Sequence, residues 1–171
     1  MSKLQEYLEE IRNNRQGVKS SVKDHLTASE RRRESRLVSA GNRNASTGDD
    51  SSHRDEARRI NAEIKNLEEK AKARKAAKQH MSPEDLEKLN SIIKDLDKLD
   101  YKMDTIAYKK KTAQGSELTA LWDEQDAINK QVQALEDQLD ALVGSYKSKV
   151  ESSKEFKDEQ KKKEEQFAKQ R

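Results

Sequence analysis

Cysteine is absent from this chain, which excludes a disulfide framework and thiolate-based metal or nucleophile chemistry. Proline occurs once in 171 residues, at Pro83, so almost nothing interrupts helical backbone. Aromatic residues make up 4%, too few to build an ordinary globular core. No apolar run approaches the roughly 20 residues of a membrane span. The opening Met1-Ser2-Lys3-Leu4-Gln5-Glu6 also lacks the apolar stretch of a signal peptide. The expectation is a cytoplasmic protein, or a nuclear one, with no membrane partner. No G-x-G-x-x-G, Walker A, H-E-x-x-H or G-x-S-x-G pattern occurs. His25, His53 and His80 are scattered, with no metal-ligand spacing between them. These gaps point away from an enzyme and imply no cofactor.

What is abundant is charge. Charged residues reach 40%, against about a quarter in typical globular domains. Long thin helices solvate that many charges far more readily than a ball does. The clearest organisation is a heptad ladder of Leu118, Leu121, Gln125, Ile128, Val132, Leu135, Leu139, Leu142 and Tyr146. Its steps of three and four average the 3.5-residue period that keeps one apolar seam toward a partner helix. A second ladder runs through Leu89, Ile92, Leu96, Leu99, Met103 and Ile106, opened by the helix-start signal Ser82-Pro83-Glu84-Asp85. The two ladders are out of phase. Gly115 between them can end one helix and Ser116 can cap the next. That break predicts an αα-hairpin of helices 83–113 and 117–150, with a continuous helix carrying a one-residue skip as the competing reading.

Elsewhere the pattern is weaker. Leu4, Leu8, Ile11, Val18 and Val22 predict an amphipathic N-terminal helix, if Arg15 takes a seam position and Gly17 is tolerated. Residues 39–53, SAGNRNASTGDDSSH, have no apolar period and read as a flexible linker. Ala57, Ile60, Ile64, Leu67 and Ala71 restore a helical pattern that fades through the basic run at 72–80. After Tyr146 the seam dissolves into lysine runs with Phe156 and Phe167 as isolated apolar residues.

Charge is distributed unevenly. Positions 114–146 carry one basic and seven acidic residues, whereas every other block is neutral or basic. The acidic helix should prefer a basic neighbour, and 57–81 is expected to pack along the hairpin partly for that reason. Arg31, Arg32, Arg33 and Arg36 form the best nucleic-acid candidate, followed by Lys109, Lys110 and Lys111. Clustered cations can hold RNA or DNA phosphates without base specificity. A solvated face paired with the acidic helix is the other reading of the same residues. No stacking platform is expected to accompany these runs, so sequence-specific single-strand recognition is not supported. Trp122 reads either as an anchor for a partner or as the seal of the hairpin end. Gln125, polar at a seam position, can specify register.

Between Leu86 and about Lys163 the layout resembles the fungal nuclear-segregation (brefeldin A-resistance type) coiled-coil family. The resemblance is carried by Lys88-Leu89-Asn90-Ser91-Ile92-Ile93-Lys94-Asp95-Leu96, by the run from Leu121-Trp122-Asp123 to Asn129-Lys130-Gln131, and by the lysine-rich tail. It covers under half of the chain and transfers no functional residue. It implies heptad hairpins ending in a basic tail and association with polysomes and messenger ribonucleoprotein particles.

The resulting expectation is an all-α, elongated helical hairpin or antiparallel coiled coil. Its parts are a basic N-terminal helix over 1–38, a linker over 39–56, a hairpin or three-helix bundle over 57–150, and a charged tail over 151–171. The function expected is a non-catalytic interaction module that pairs with a helical protein partner or with itself. Binding of RNA or the ribosome through the basic stretches is the alternative.

Overall fold

The computed structural model describes residues 2–48 and 50–169, apart from the side chains of 154–157, 159 and 160, so the side chain of Phe156 lies outside it. All elements are helical: α1 Lys3–Gln16, α2 Ser20–Lys23, α3 Ala28–Thr47, α4 Ser51–Lys78, α5 Pro83–Lys110, α6 Ser116–Gly144 and α7 Lys147–Lys169. No strand occurs among the described residues, and none of their helices is long and apolar enough to cross a membrane.

The hairpin forms where the ladders place it. Ser82 caps α5 by accepting from the Asp85 amide at 3.2 Å, with Pro83 in the first turn. Gly115 takes φ +60 ahead of α6, a conformation side-chain-bearing residues rarely adopt, and turns the chain back. Between the helices lie two stretches of one seam. Leu99, Ile106, Leu121 and Ile128 fill the half near the turn, with Met103, Leu118, Val132 and Leu135 against them. Leu89, Leu96 and Leu139 fill the other half, flanked by Ile92 and Leu142. Leu89 and Leu139 are fully enclosed, each contributing about 1.5–3 kcal/mol by burial. Tyr146 closes the open end, donating its hydroxyl to the Asp85 carboxylate and accepting from the Ser82 amide at 3.3 Å.

The N-terminal half departs from expectation. Residues 39–47 continue α3 as helix instead of forming a linker, and only the elbow near Gly48 and Asp50 separates α3 from α4. Gly41 is buried at a helix crossing, where a Cβ would stand 3.0 Å from the Asn14 Cβ. Glycine serves close packing there, which is why apolar periodicity is missing from the run. At the elbow, Asp50 accepts from the His53 amide at 3.0 Å and caps α4.

The predicted face of α1 is also rotated. Leu4 and Leu8 are exposed and Ile11 is only half-buried, whereas Tyr7 and Asn14 are buried. Tyr7 donates to the Gly48 carbonyl at 3.0 Å and Asn14 to the Ala57 carbonyl at 3.1 Å. Polar side chains that meet backbone acceptors therefore dock α1, and the helix stops at Gly17 with φ +65. Val18 and Val22 lie beyond that stop and join a core with Leu26, Leu37, Ile60, Ile64, Leu67 and Ala71.

In this arrangement α4 belongs to the N-terminal bundle. It packs chiefly on α1, α2 and α3, and meets α6 and α7 only in passing, so it does not lie along the hairpin as the charge pattern predicted. The attraction goes elsewhere: Arg74 of α4 is buried in a two-pronged pair with Glu30 of α3. Burial pushes the Glu30 carboxyl up, but the Arg74 bonds and charge, with Thr27, outweigh it and hold it below its ordinary value. The chain thus divides near 79–82 into an N-terminal bundle and a hairpin that continues into α7.

Candidate interaction surface

Among the described residues no group of three or more His, Asp or Glu side chains converges on a metal position. His53 hydrogen-bonds Asp50 at 2.6 Å and Thr47 at 2.9 Å within the elbow. His25 contacts Lys78 at 3.0 Å; burial, with the Lys78 and Lys75 charges, keeps its imidazole below its usual pKa. These groups hold the fold together.

Helix α3 presents its arginines in different directions. Arg31 reaches the Asp24 carbonyl at 3.4 Å, and Arg33 lies 3.8 Å from Glu63. Arg32 grips Asp104 with both terminal nitrogens and contacts Asp100 at 3.0 Å, which joins the bundle to the hairpin. Its hydrogen bond to Asp104 raises the guanidinium pKa and lowers that of the Asp104 carboxyl. Burial pushes the neighbouring Asp100 carboxyl up. Among the described residues Arg36 and Arg43 make no ion pair within 4 Å, although Arg36 is near enough to favour the Asp100 carboxylate. With Arg32, Arg36 borders a cleft of about 450 Å³ floored by Leu96, Met103 and Val132. Within the arginine run the acidic partners are thus Asp100 and Asp104 of α5 for Arg32 and Glu63 of α4 for Arg33.

Lys109, Lys110 and Lys111 are also separated by the fold. The Lys110 ammonium sits 3.5 Å from the centre of the Trp122 ring and donates to Gln125, so it is spent inside the hairpin end. Trp122 remains 52% exposed beneath it. Its position fits the seal reading, while half of its surface stays free. Lys111 lies 5.9 Å from the centre of the Tyr108 ring, and Lys109 is exposed.

Two faces of the hairpin were missed by reading linear runs. Lys94, Lys98, Tyr101, Thr105 and Tyr108 follow steps of four and three, which puts them on the side of α5 opposite its seam. Tyr101 and Tyr108 are 74% and 75% exposed, with Lys102 and Lys109 beside them and Asp97 at the edge. An aromatic platform does therefore accompany the lysines, contrary to the sequence expectation. It spans two turns of helix and cannot be seen in any contiguous run. The same spacing test would have found it.

The other face belongs to α6. Ala120, Ala127, Ala134 and Ala141 recur every seven residues, all exposed, with Gln131 and Gln138 on the same flank. Ala134, Gln131 and Gln138 line a groove of about 420 Å³ whose floor is Leu99 and Leu135 and whose α5 wall is Asp95, Lys98 and Lys102. The heptad spacing of the alanines was legible, but alanine is a weak apolar signal beside a leucine ladder. The chain matches no known family model, no curated protein and no solved structure.

Proposed function

We propose that the chain is a non-catalytic helical interaction module, acting in the cytosol or nucleus, which docks a helix of another protein on the free flank of the α5–α6 hairpin. The observation that carries this reading is the α6 stripe of small residues beside an apolar floor. Small residues at heptad spacing let a third helix approach closely, and Leu99 with Leu135 offers that helix something apolar to cover. Lys98 and Lys102 favour a partner helix with acidic residues along one edge. The test places a photoreactive residue at Gln138 in cells. Discrete adducts with another protein, lost in an Ala127→Arg/Ala134→Arg variant of unchanged helicity, are expected. Adducts with a second copy would make the module self-associating. A compact, partnerless monomer in sedimentation, with no adduct, would refute it.

The exposed Tyr101–Tyr108 pair on a lysine face favours one second reading, sequence-independent binding of RNA or the ribosome. Each stacked base contributes about 1–3 kcal/mol on such a platform, and Arg36 and Arg43 supply further cations. Co-sedimentation of Lys98→Glu/Lys102→Glu/Lys109→Glu and Tyr101→Ala/Tyr108→Ala variants with RNA at physiological salt separates the two readings. Undiminished binding by both variants would eliminate this one.

A further inference from the structure

Arg32 supplies the ion pairs that clasp α3 to α5, beside looser packing of α4 on α6 and α7, and the residue one helical turn beyond it is an exposed serine. Ser35 follows Arg32-Arg33-Glu34, so two guanidinium groups stand three and two positions ahead of its hydroxyl. Basic residues at those offsets are what the acidic substrate subsites of a basophilic serine/threonine kinase accept. Ser39 has only Arg36 at the corresponding place, which makes Ser35 the better acceptor. We propose that Ser35 is a phosphorylation site and that its phosphate withdraws Arg32 from α5, releasing the hairpin from the N-terminal bundle.

In the transfer, the Ser35 Oγ forms a bond to the γ-phosphorus of ATP while the bond from that phosphorus to the β–γ bridging oxygen breaks. ADP departs with that oxygen, and the serine proton passes to the kinase's base. Kinases take extended segments, so transfer draws on local opening of α3. Outward-facing Ser35 sits between Arg32 and Arg36, with Ser39 and Arg43 continuing the same face.

The consequence follows from helical neighbours. Side chains three apart on a helix face each other, so a phosphate on Ser35 stands beside the Arg32 guanidinium. It brings a charge of about −1.5 to −2 and three acceptor oxygens that suit a guanidinium fork. Asp100 and Asp104 now hold Arg32, one of them from a half-buried position. The new dianion both competes for that arginine and repels the two aspartates. Loss of the clasp opens the cleft floored by Leu96, Met103 and Val132, on the hairpin flank away from the alanine stripe. The inference is therefore independent of the docking reading.

Because the chain has no cysteine, spin labels can be placed uniquely on a Lys65→Cys/Thr112→Cys background of the full chain. It is treated with the catalytic subunit of a basophilic kinase and MgATP, and peptide mass spectrometry locates the phosphate. Expected are incorporation at Ser35, its absence in Ser35→Ala, and loss of a single narrow label-to-label distance in favour of a broad distribution. Unphosphorylated Arg32→Ala should show the same broadening. Failure of Ser35 to accept phosphate, a narrow distance retained after phosphorylation, or an unchanged distance in Arg32→Ala would each overturn the proposal.

Discussion

Replacing Arg74 with alanine tests the N-terminal bundle at its most polar point. Arg74 is buried against Glu30, with Nη2 3.0 Å from Oε2 and Nη1 3.1 Å from the His25 carbonyl. The substitution strands a buried carboxylate, and breaking one side of such a pair costs about 3–5 kcal/mol. At about 2–4 °C per kcal/mol for a chain of this size, the melting temperature should fall by roughly 6–20 °C at pH 7. The pH dependence carries the sharper information. In the native protein Glu30 is held below the ordinary value of a glutamate carboxyl, so its contribution is complete above that value and is lost as pH falls through the lowered folded one. In Arg74→Ala the burial remains and the counter-charge is gone, so the carboxyl rises above its unfolded value. It then binds a proton in the folded state, which offsets part of the loss as pH falls. Urea unfolding followed by circular dichroism at 222 nm should show the gap between the two proteins narrowing from pH 7 toward about pH 3. A gap of under about 1 kcal/mol at pH 7, or one that widens in acid, refutes the placement of Glu30 and Arg74 as a buried pair.

Two glycines should respond in opposite directions. Gly41→Ala adds a Cβ against Asn14 and should destabilise by about 1–3 kcal/mol, whereas Gly144→Ala meets nothing within 4 Å and should stabilise by up to about 1 kcal/mol; thermal melts of both decide. Leu139→Ala, fully enclosed in the half of the seam away from the turn, should cost about 2–5 kcal/mol in urea. Tyr146→Phe removes the hydroxyl that meets Asp85 and Ser82; a loss of about 1 kcal/mol is expected, with faster amide exchange in the first turn of α5.

The hairpin was legible because the cues there agree. Leu118 to Tyr146 and Leu89 to Ile106 keep unbroken three-four steps, and Ser82, Pro83 and Gly115 mark the helix limits. The N-terminal bundle was only partly legible: Val18, Val22, Ile60, Ile64 and Leu67 stood out and are core. But α1 docks through Tyr7 and Asn14 against Gly41 and Ala57, and α3 meets α4 through the Glu30–Arg74 pair, polar or small residues that carry little apolar signal. Leu4 and Leu8 then advertised the wrong face of α1. For the candidate surfaces the contiguous runs misled. Arg32 and Lys110 are largely used up by internal partners, while the exposed Tyr101 and Tyr108 emerge only when α5 is viewed around its axis.

The hairpin also has the mechanics of a lever. Its latch is at Tyr146, and its tip at Gly115 lies about 45 Å away along helices that rise 1.5 Å per residue. A tilt of about 10° at the latch would carry the tip through roughly 8 Å, more than a full turn of helix. Arg32 grips Asp100 and Asp104 beyond the midpoint of the arm. A guanidinium set well out from the base restrains the arm with a long moment, so a small chemical event at that contact is magnified at the tip.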